Sequence, residues 1–195
     1  MPRLARGVIA AVAAVAAGTW LAGCGAQLGG GAFVDSHGTW RGAGTVDLRI
    51  VQMRGSGPVL GVHVPVAFES ADRPFVLRAA VLEMGTHLRG PGPLALELLY
   101  DFGLGGPVAR SYRGAGVYFG GAAALLLRVA GDADWRAVFA TAFLDVDLVL
   151  TARVGGWLAP ARTNDWITGE GSAELAVRFT FGSDLFSTQH WNEGS

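Results

Sequence analysis

The chain has 195 residues, with 15 basic against 16 acidic side chains, a formal net charge of −1 and a single cysteine. That length is one domain's worth, the balanced charge without a basic cluster excludes a nucleic-acid surface, and one thiol excludes an internal disulfide framework. Charged residues make up 16% of the chain, against about 25% in an ordinary soluble domain. A small domain has a large surface to cover, so part of this one is expected to face something other than water. Every basic residue is arginine; there is no lysine.

In chain order, the first element is a targeting segment. Arg3 and Arg6 precede an apolar run from Val8 to Ala17, which leads through Gly18, Thr19 and Trp20 to Leu21-Ala22-Gly23-Cys24. A basic start, a short apolar core and small residues at the end are the anatomy of an export signal. The run is shorter than the ~20 residues a spanning helix needs. Leu21-Ala22-Gly23-Cys24 resembles the lipobox of bacterial lipoproteins. That resemblance implies cleavage after residue 23 and lipid attachment, palmitate among the acyl chains, at Cys24. It also implies transfer to the outer membrane, because Gly25 stands where an aspartate tends to retain such proteins in the inner one.

Residues 24–38 are rich in glycine and are expected to form a flexible tether between the lipid and the fold. The domain proper is expected over 39–182, followed by a C-terminal tail, 183–195. Within it, apolar segments are separated by Gly, Pro, Asp and Ser clusters at short spacing, the signature of an all-β chain. The strands are expected near 43–53, 59–69, 75–89, 94–103, 113–129, 135–143, 145–157 and 172–182. Between 135 and 157 the alternatives are two strands, one long bulged strand, or a short helix carrying Trp135, Val138, Phe139, Ala142 and Phe143.

Inside the segments the apolar period is two. Val46, Leu48 and Ile50 oppose Thr45, Asp47 and Arg49; Leu60, Val62, Val64 and Val66 oppose Gly61, His63, Pro65 and Ala67. Leu94, Leu96, Leu98, Tyr100 and Phe102 oppose Ala95, Glu97, Leu99, Asp101 and Gly103. Val146, Leu148, Leu150, Ala152 and Val154 oppose Asp147, Val149, Thr151 and Arg153, and Leu175, Val177, Phe179 and Phe181 oppose Glu174, Ala176, Arg178 and Thr180. One face of each strand therefore lies in apolar surroundings and the other in polar ones.

Alternation does not say which face points inward, but three features favour apolar faces outward. The polar faces mix small residues with charges of both signs, as a narrow lumen requires. The apolar faces run about five residues per strand, matching the 9–11 residues of a tilted membrane strand. Aromatic residues (Phe68, Phe75, Tyr100, Phe102, Trp135, Trp157, Phe179 and Phe181) sit near strand ends, where interfacial girdles occur. The expected fold is thus an antiparallel, up-and-down, eight-stranded β-barrel of membrane type. The pattern Leu175-x-Val177-x-Phe179-x-Phe181 resembles the closing strand of bacterial outer-membrane barrels, and Gly114–Gly121 is similar to strands of the small ones.

Candidate chemistry is sparse. None of His37, His63, His87 and His190 is spaced for a metal with another ligand, and no cofactor is expected. His63 and His87 fall on polar faces of neighbouring strands and are expected inside the barrel, hydrogen-bonded. Asp145 and Asp147 point to one side and are expected to pair with Arg153, Arg136 or Arg178. Ser183, Ser187 and His190 cluster only in the tail, poor ground for a preorganised site, and no nucleophile elbow or phosphate loop is present. No enzyme activity is expected. The expected role is that of a lipid-anchored outer-membrane barrel, structural, adhesive or envelope-stabilising, whose partner is the membrane and not nucleic acid. The alternative is a lipid-tethered periplasmic barrel holding a small apolar ligand, with Leu60, Val62, Val64, Leu94, Leu96 and Leu98 lining its cavity.

Overall fold

A computed structural model describes residues 23–52, 56–67, 76–90, 92–109, 116–131, 135–137, 140–158 and 167–183. The targeting segment before Gly23 and the tail after Ser183, with Ser187 and His190, lie outside the described residues. In chain order the strands are β1 (Gly23–Asp35), β2 (Trp40–Gln52), β3 (Gly57–Ala67), β4 (Val76–Leu77), β5 (Ala79–Arg89), β6 (Leu94–Gly105), β7 (Gly116–Ala130), β8 (Trp135–Ala137), β9 (Ala140–Leu158) and β10 (Ile167–Ser183). β4 and β8 are short additions that pair with the end of β3 and the start of β9. The other eight pair with their neighbours in chain order, and β1 and β9 both pair with β10, so the sheet is a closed eight-stranded antiparallel barrel. Closure leaves no unpaired sheet edge.

The count of eight agrees with the expectation, but the strands that make it up do not. Residues 24–35 are not a tether. They form β1, which pairs along its length with β10 on one side and β2 on the other and so completes the barrel wall. The glycines in this strand serve packing: a Cβ on Gly31 would stand 2.7 Å from Glu174 Cγ. A run of small residues suits both a linker and the inner face of a narrow barrel. The turn Ser36–Thr39 is tied by Asp35, whose Oδ1 accepts the backbone N–H groups of His37 and Thr39 at 2.9 Å.

The second difference lies between 135 and 158. Of the alternatives read there, the single long strand is the one that forms: β9 has 19 residues, preceded by the three-residue β8. No helix occurs among the described residues. Asp145 and Asp147 sit on one continuous inward face with Val149, Thr151, Arg153 and Trp157, so the strand runs unbroken through them.

The alternation resolves in one direction throughout. On β6 the inward residues Ala95, Glu97, Leu99 and Asp101 are buried, while Leu94, Leu96, Leu98, Tyr100, Phe102 and Leu104 are exposed outside. Arg178 and Glu97 are each 0% exposed, whereas Leu150 and Leu175 on the outer wall are 54% and 55% exposed. Leu60, Val62 and Val64 alternate with the inward Gly61, His63 and Pro65 and so lie on the outer wall with Leu94, Leu96 and Leu98. These six therefore line no cavity, contrary to the ligand-binding alternative. One aromatic departs from the expected girdle: Trp157 falls on the inward register of β9, is buried, and packs on Tyr118 with ring centroids 5.0 Å apart. Tyr100, Phe102, Phe179 and Phe181 are outside, and Phe102 meets Phe119 edge-on at 5.1 Å. Phe68, Phe75 and the side chain of Trp135 lie outside the described residues.

β1 begins and β10 ends at one end of the barrel, the end that the connections 53–56, 90–93 and 131–139 join. At the other end are the short turn 36–39 and the longer connections 68–75, 106–115 and 159–166.

Candidate functional site

What the fold gathers is the lumen. Its middle is filled by charged side chains projected from alternate positions of the strands. Arg49 of β2 binds Glu83 of β5 and lies 3.5 Å from Glu97 of β6. Arg153 of β9 reaches the same Glu83 at 2.6 Å, binds Asp101 of β6, and has Nε 3.6 Å from Glu174. Arg178 of β10 spans the lumen to Glu97, its two terminal nitrogens donating to the two carboxylate oxygens at 2.5 and 2.9 Å. The Nε of Arg178 donates to Gln27 at 2.9 Å, and Gln27 in turn donates to Asp47. The arrangement is a bridged lattice in which each arginine touches more than one acceptor. Guanidinium suits this because its donors form a fixed planar fork that can serve two carboxylates at once.

Small residues make room for these long side chains. Gly61 faces Arg49, and a Cβ at that position would stand 2.7 Å from the Arg49 terminal nitrogen. Substituting a bulkier inward residue there would push the guanidinium off its carboxylates. Near the loop-rich end the lumen turns aromatic, where the Tyr118 ring lies over Gly120 and Gly155 against Trp157.

The histidines expected inside are inside, but they do not meet. His63 donates from Nδ1 to Asp47 at 2.5 Å, and His87 donates from Nδ1 to Glu97 at 3.1 Å. In the ladder His63 stands opposite Val81, well along β5 from His87. His37 is exposed in the β1–β2 turn. Asp145 and Asp147 share a face as expected, and Arg128 of β7 binds Asp145 and approaches Asp147 to 3.8 Å; the side chain of Arg136, one of the expected partners, lies outside the described residues. Arg153 and Arg178 are taken by the central lattice instead. Sequence reasoning misses Arg128 because it follows the long apolar run of β7, and only the β7–β9 register places it opposite Asp147.

Cys24, the residue assigned to lipid attachment, is exposed near the start of β1, opposite Phe181 in the ladder. Its neighbours Gly25 and Gln27 point inward, so its thiol points outward with Leu28. Ser183 is the last residue of β10, at the same end of the barrel.

Among the described residues, no group of three or more His, Cys, Asp and Glu side chains is arranged to hold a metal ion. No helix of the described residues is long and apolar enough to cross a membrane, which leaves open a crossing by strands. No family model matches the chain, and neither a curated protein nor a solved structure resembles it to a significant degree.

Proposed function

We propose that the protein is a lipid-anchored barrel of the bacterial outer membrane, with a structural, adhesive or envelope-stabilising role. One observation carries this reading: charge is inside and apolar surface is outside. A water-soluble barrel does the reverse, and a contiguous apolar wall of this extent is not stable against water. On β6 the outward apolar residues run from Leu94 to Leu104, roughly 33 Å of strand at ~3.3 Å per residue. At the ~40° tilt usual for such barrels this gives a band of about 25 Å, the height of a membrane barrel's apolar belt.

The ends of the barrel support an orientation. Outer-membrane barrels keep short turns on the periplasmic side and longer loops outside, which assigns the end carrying Cys24 to the periplasmic side. An acyl chain on an outward-facing Cys24 would enter the inner leaflet beside Phe181 with no intervening tether. The lipid is then a second attachment on a wall already embedded, each buried methylene contributing about 0.8 kcal/mol. The filled lumen assigns the function to the wall, the rim and the outer loops; passage of solutes is not part of it.

The test is extraction. In the Cys24→Ser protein the acyl anchor is absent, yet the barrel should remain in the membrane fraction after a salt or alkaline wash and require detergent for release. It should also show heat-modifiable mobility in gels. Release of that variant as a detergent-free soluble monomer would refute the membrane barrel, and wild-type protein lacking bound acyl chains would refute the lipoprotein assignment.

A further inference from the structure

The chain folds part of itself into the barrel mouth. After β6, Gly105 takes φ +143°, a conformation that favours glycine, and the next residue donates its N–H to the Arg78 carbonyl at 2.9 Å. The segment Gly106–Ala109 then enters the lumen and is buried, with Val108 packed against Phe33 and Ala43 on the opposite wall. A carboxylate ties its far end. Glu170 Oε2 accepts the Ala109 N–H at 2.9 Å, while its Oε1 accepts the Trp157 indole N–H at 3.3 Å.

Phe33 and Glu170, the residues that Val108 and Ala109 meet, also line a cavity of ≈ 10 Å³, room for about one water. Phe33, Tyr118 and Trp157 line it, and its polar lining includes the charged Arg153 and Glu170 as well as His63 and Ser172. His63 is 1% exposed and turns Nδ1 to Asp47, so Nε2 lies on the opposite side of the ring, where it has no hydrogen-bond partner among the described residues. A buried polar atom without a partner costs free energy unless something binds it. Aromatic lining beside an unpaired buried hydrogen-bonding group is the make-up of a small-molecule site; Arg153 Nε, on the same lining, is a second such atom, 3.6 Å from Glu174.

We propose that Gly106–Ala109 is a lid, latched by Glu170, over a binding chamber for a small aromatic molecule with one hydrogen-bonding group. The lid occupies the chamber as a self-ligand. Val108 covers Phe33, and its withdrawal enlarges the cavity while leaving the barrel wall and the charged lattice in place. The ring of the ligand stacks among Phe33, Tyr118 and Trp157, and its polar group meets His63 Nε2. None of this requires the outer wall to contact lipid.

The experiment uses Ser172→Cys in the full chain carrying Cys24→Ser, so that the new thiol is the only one, with a small charged methanethiosulfonate reagent and phenol as the probe ligand. The introduced thiol should react slowly under the latched lid. Adding Glu170→Ala, or separately Val108→Asp, should speed the reaction about tenfold, the factor that one charge-assisted hydrogen bond is worth. Phenol should slow the opened variants severalfold, and His63→Leu should abolish that protection without slowing the unprotected reaction. Unchanged rates in both opened variants, or no protection by phenol, would overturn the proposal. Failure of both variants to form the heat-modifiable barrel would overturn it too, because a lid is separable from the wall.

Discussion

Arg178 and Glu97 lie 81 positions apart in sequence and meet across the lumen through two parallel hydrogen bonds that tie β10 to β6. Both side chains are fully buried. Neither has water to fall back on, so the two groups stand or fall together. Replacing Arg178 with Ala strands the Glu97 carboxylate between His87 and Arg49 and should cost about 3–5 kcal/mol, the usual penalty for breaking a buried pair from one side. The check is the urea midpoint of the heat-modifiable band. Pairing Arg178→Met with Glu97→Leu should recover part of the loss, because neither charge of the pair is then left alone, while His87 and Gln27 each lose one partner.

The outer wall should tolerate charge according to depth. Leu150 lies midway along β9 on the exposed face, and Ile167 begins β10 at the loop-rich end. Leu150→Arg should cost about 2–4 kcal/mol in a bilayer and Ile167→Arg about 0–1, the values for midplane and interface. Folding titrations in lipid vesicles read both. Equal, small penalties would contradict a lipid-facing wall.

Tyr118 fills the space above Gly155 so closely that a side chain there must displace its ring. Gly155→Val should therefore destabilise the barrel by about 1–3 kcal/mol, as overpacking does. Combined with Tyr118→Ala the two losses should sum to less than their parts, since they compete for one volume. A strictly additive pair in denaturant melts would show that the ring and the glycine do not share that space.

The charged lattice should also block ions. In planar bilayers the wild-type barrel should show no steady open-channel conductance, because arginines and carboxylates close its middle. Porin-like current steps would contradict the filled lumen.

Much of this fold is legible in alternation alone. Each strand with a strong period of two, such as β6 and β10, has its faces correctly divided by parity, because a side chain's face in a strand follows its place in the alternation. β1 escapes that reading because Gly25, Gly29 and Gly31 carry no side chain to show parity, although Gln27 and Phe33 on the same face are buried. Trp157 escapes it for a related reason: nearness to a strand end suggests a girdle, while its odd register beside Arg153 places it inside. Of the lumen, the charged membership is readable but the partners are not. Which arginine meets which acid depends on pairing register and on reach across the barrel, as when Arg178 passes its ladder neighbour Asp147 to bind Glu97. The lid is invisible in sequence, since Gly-Gly-Pro at 105–107 reads as an ordinary turn and only the closed barrel gives Val108 a wall to pack against.

The central claim is that the apolar wall faces lipid, and a nitroxide at Leu150→Cys in proteoliposomes tests it most directly, with Ser36→Cys in the exposed β1–β2 turn as reference. The label at position 150 should collide with oxygen and be shielded from a water-soluble nickel complex, while the label at 36 shows the reverse. A label at 150 as open to nickel as the one at 36 would contradict the account.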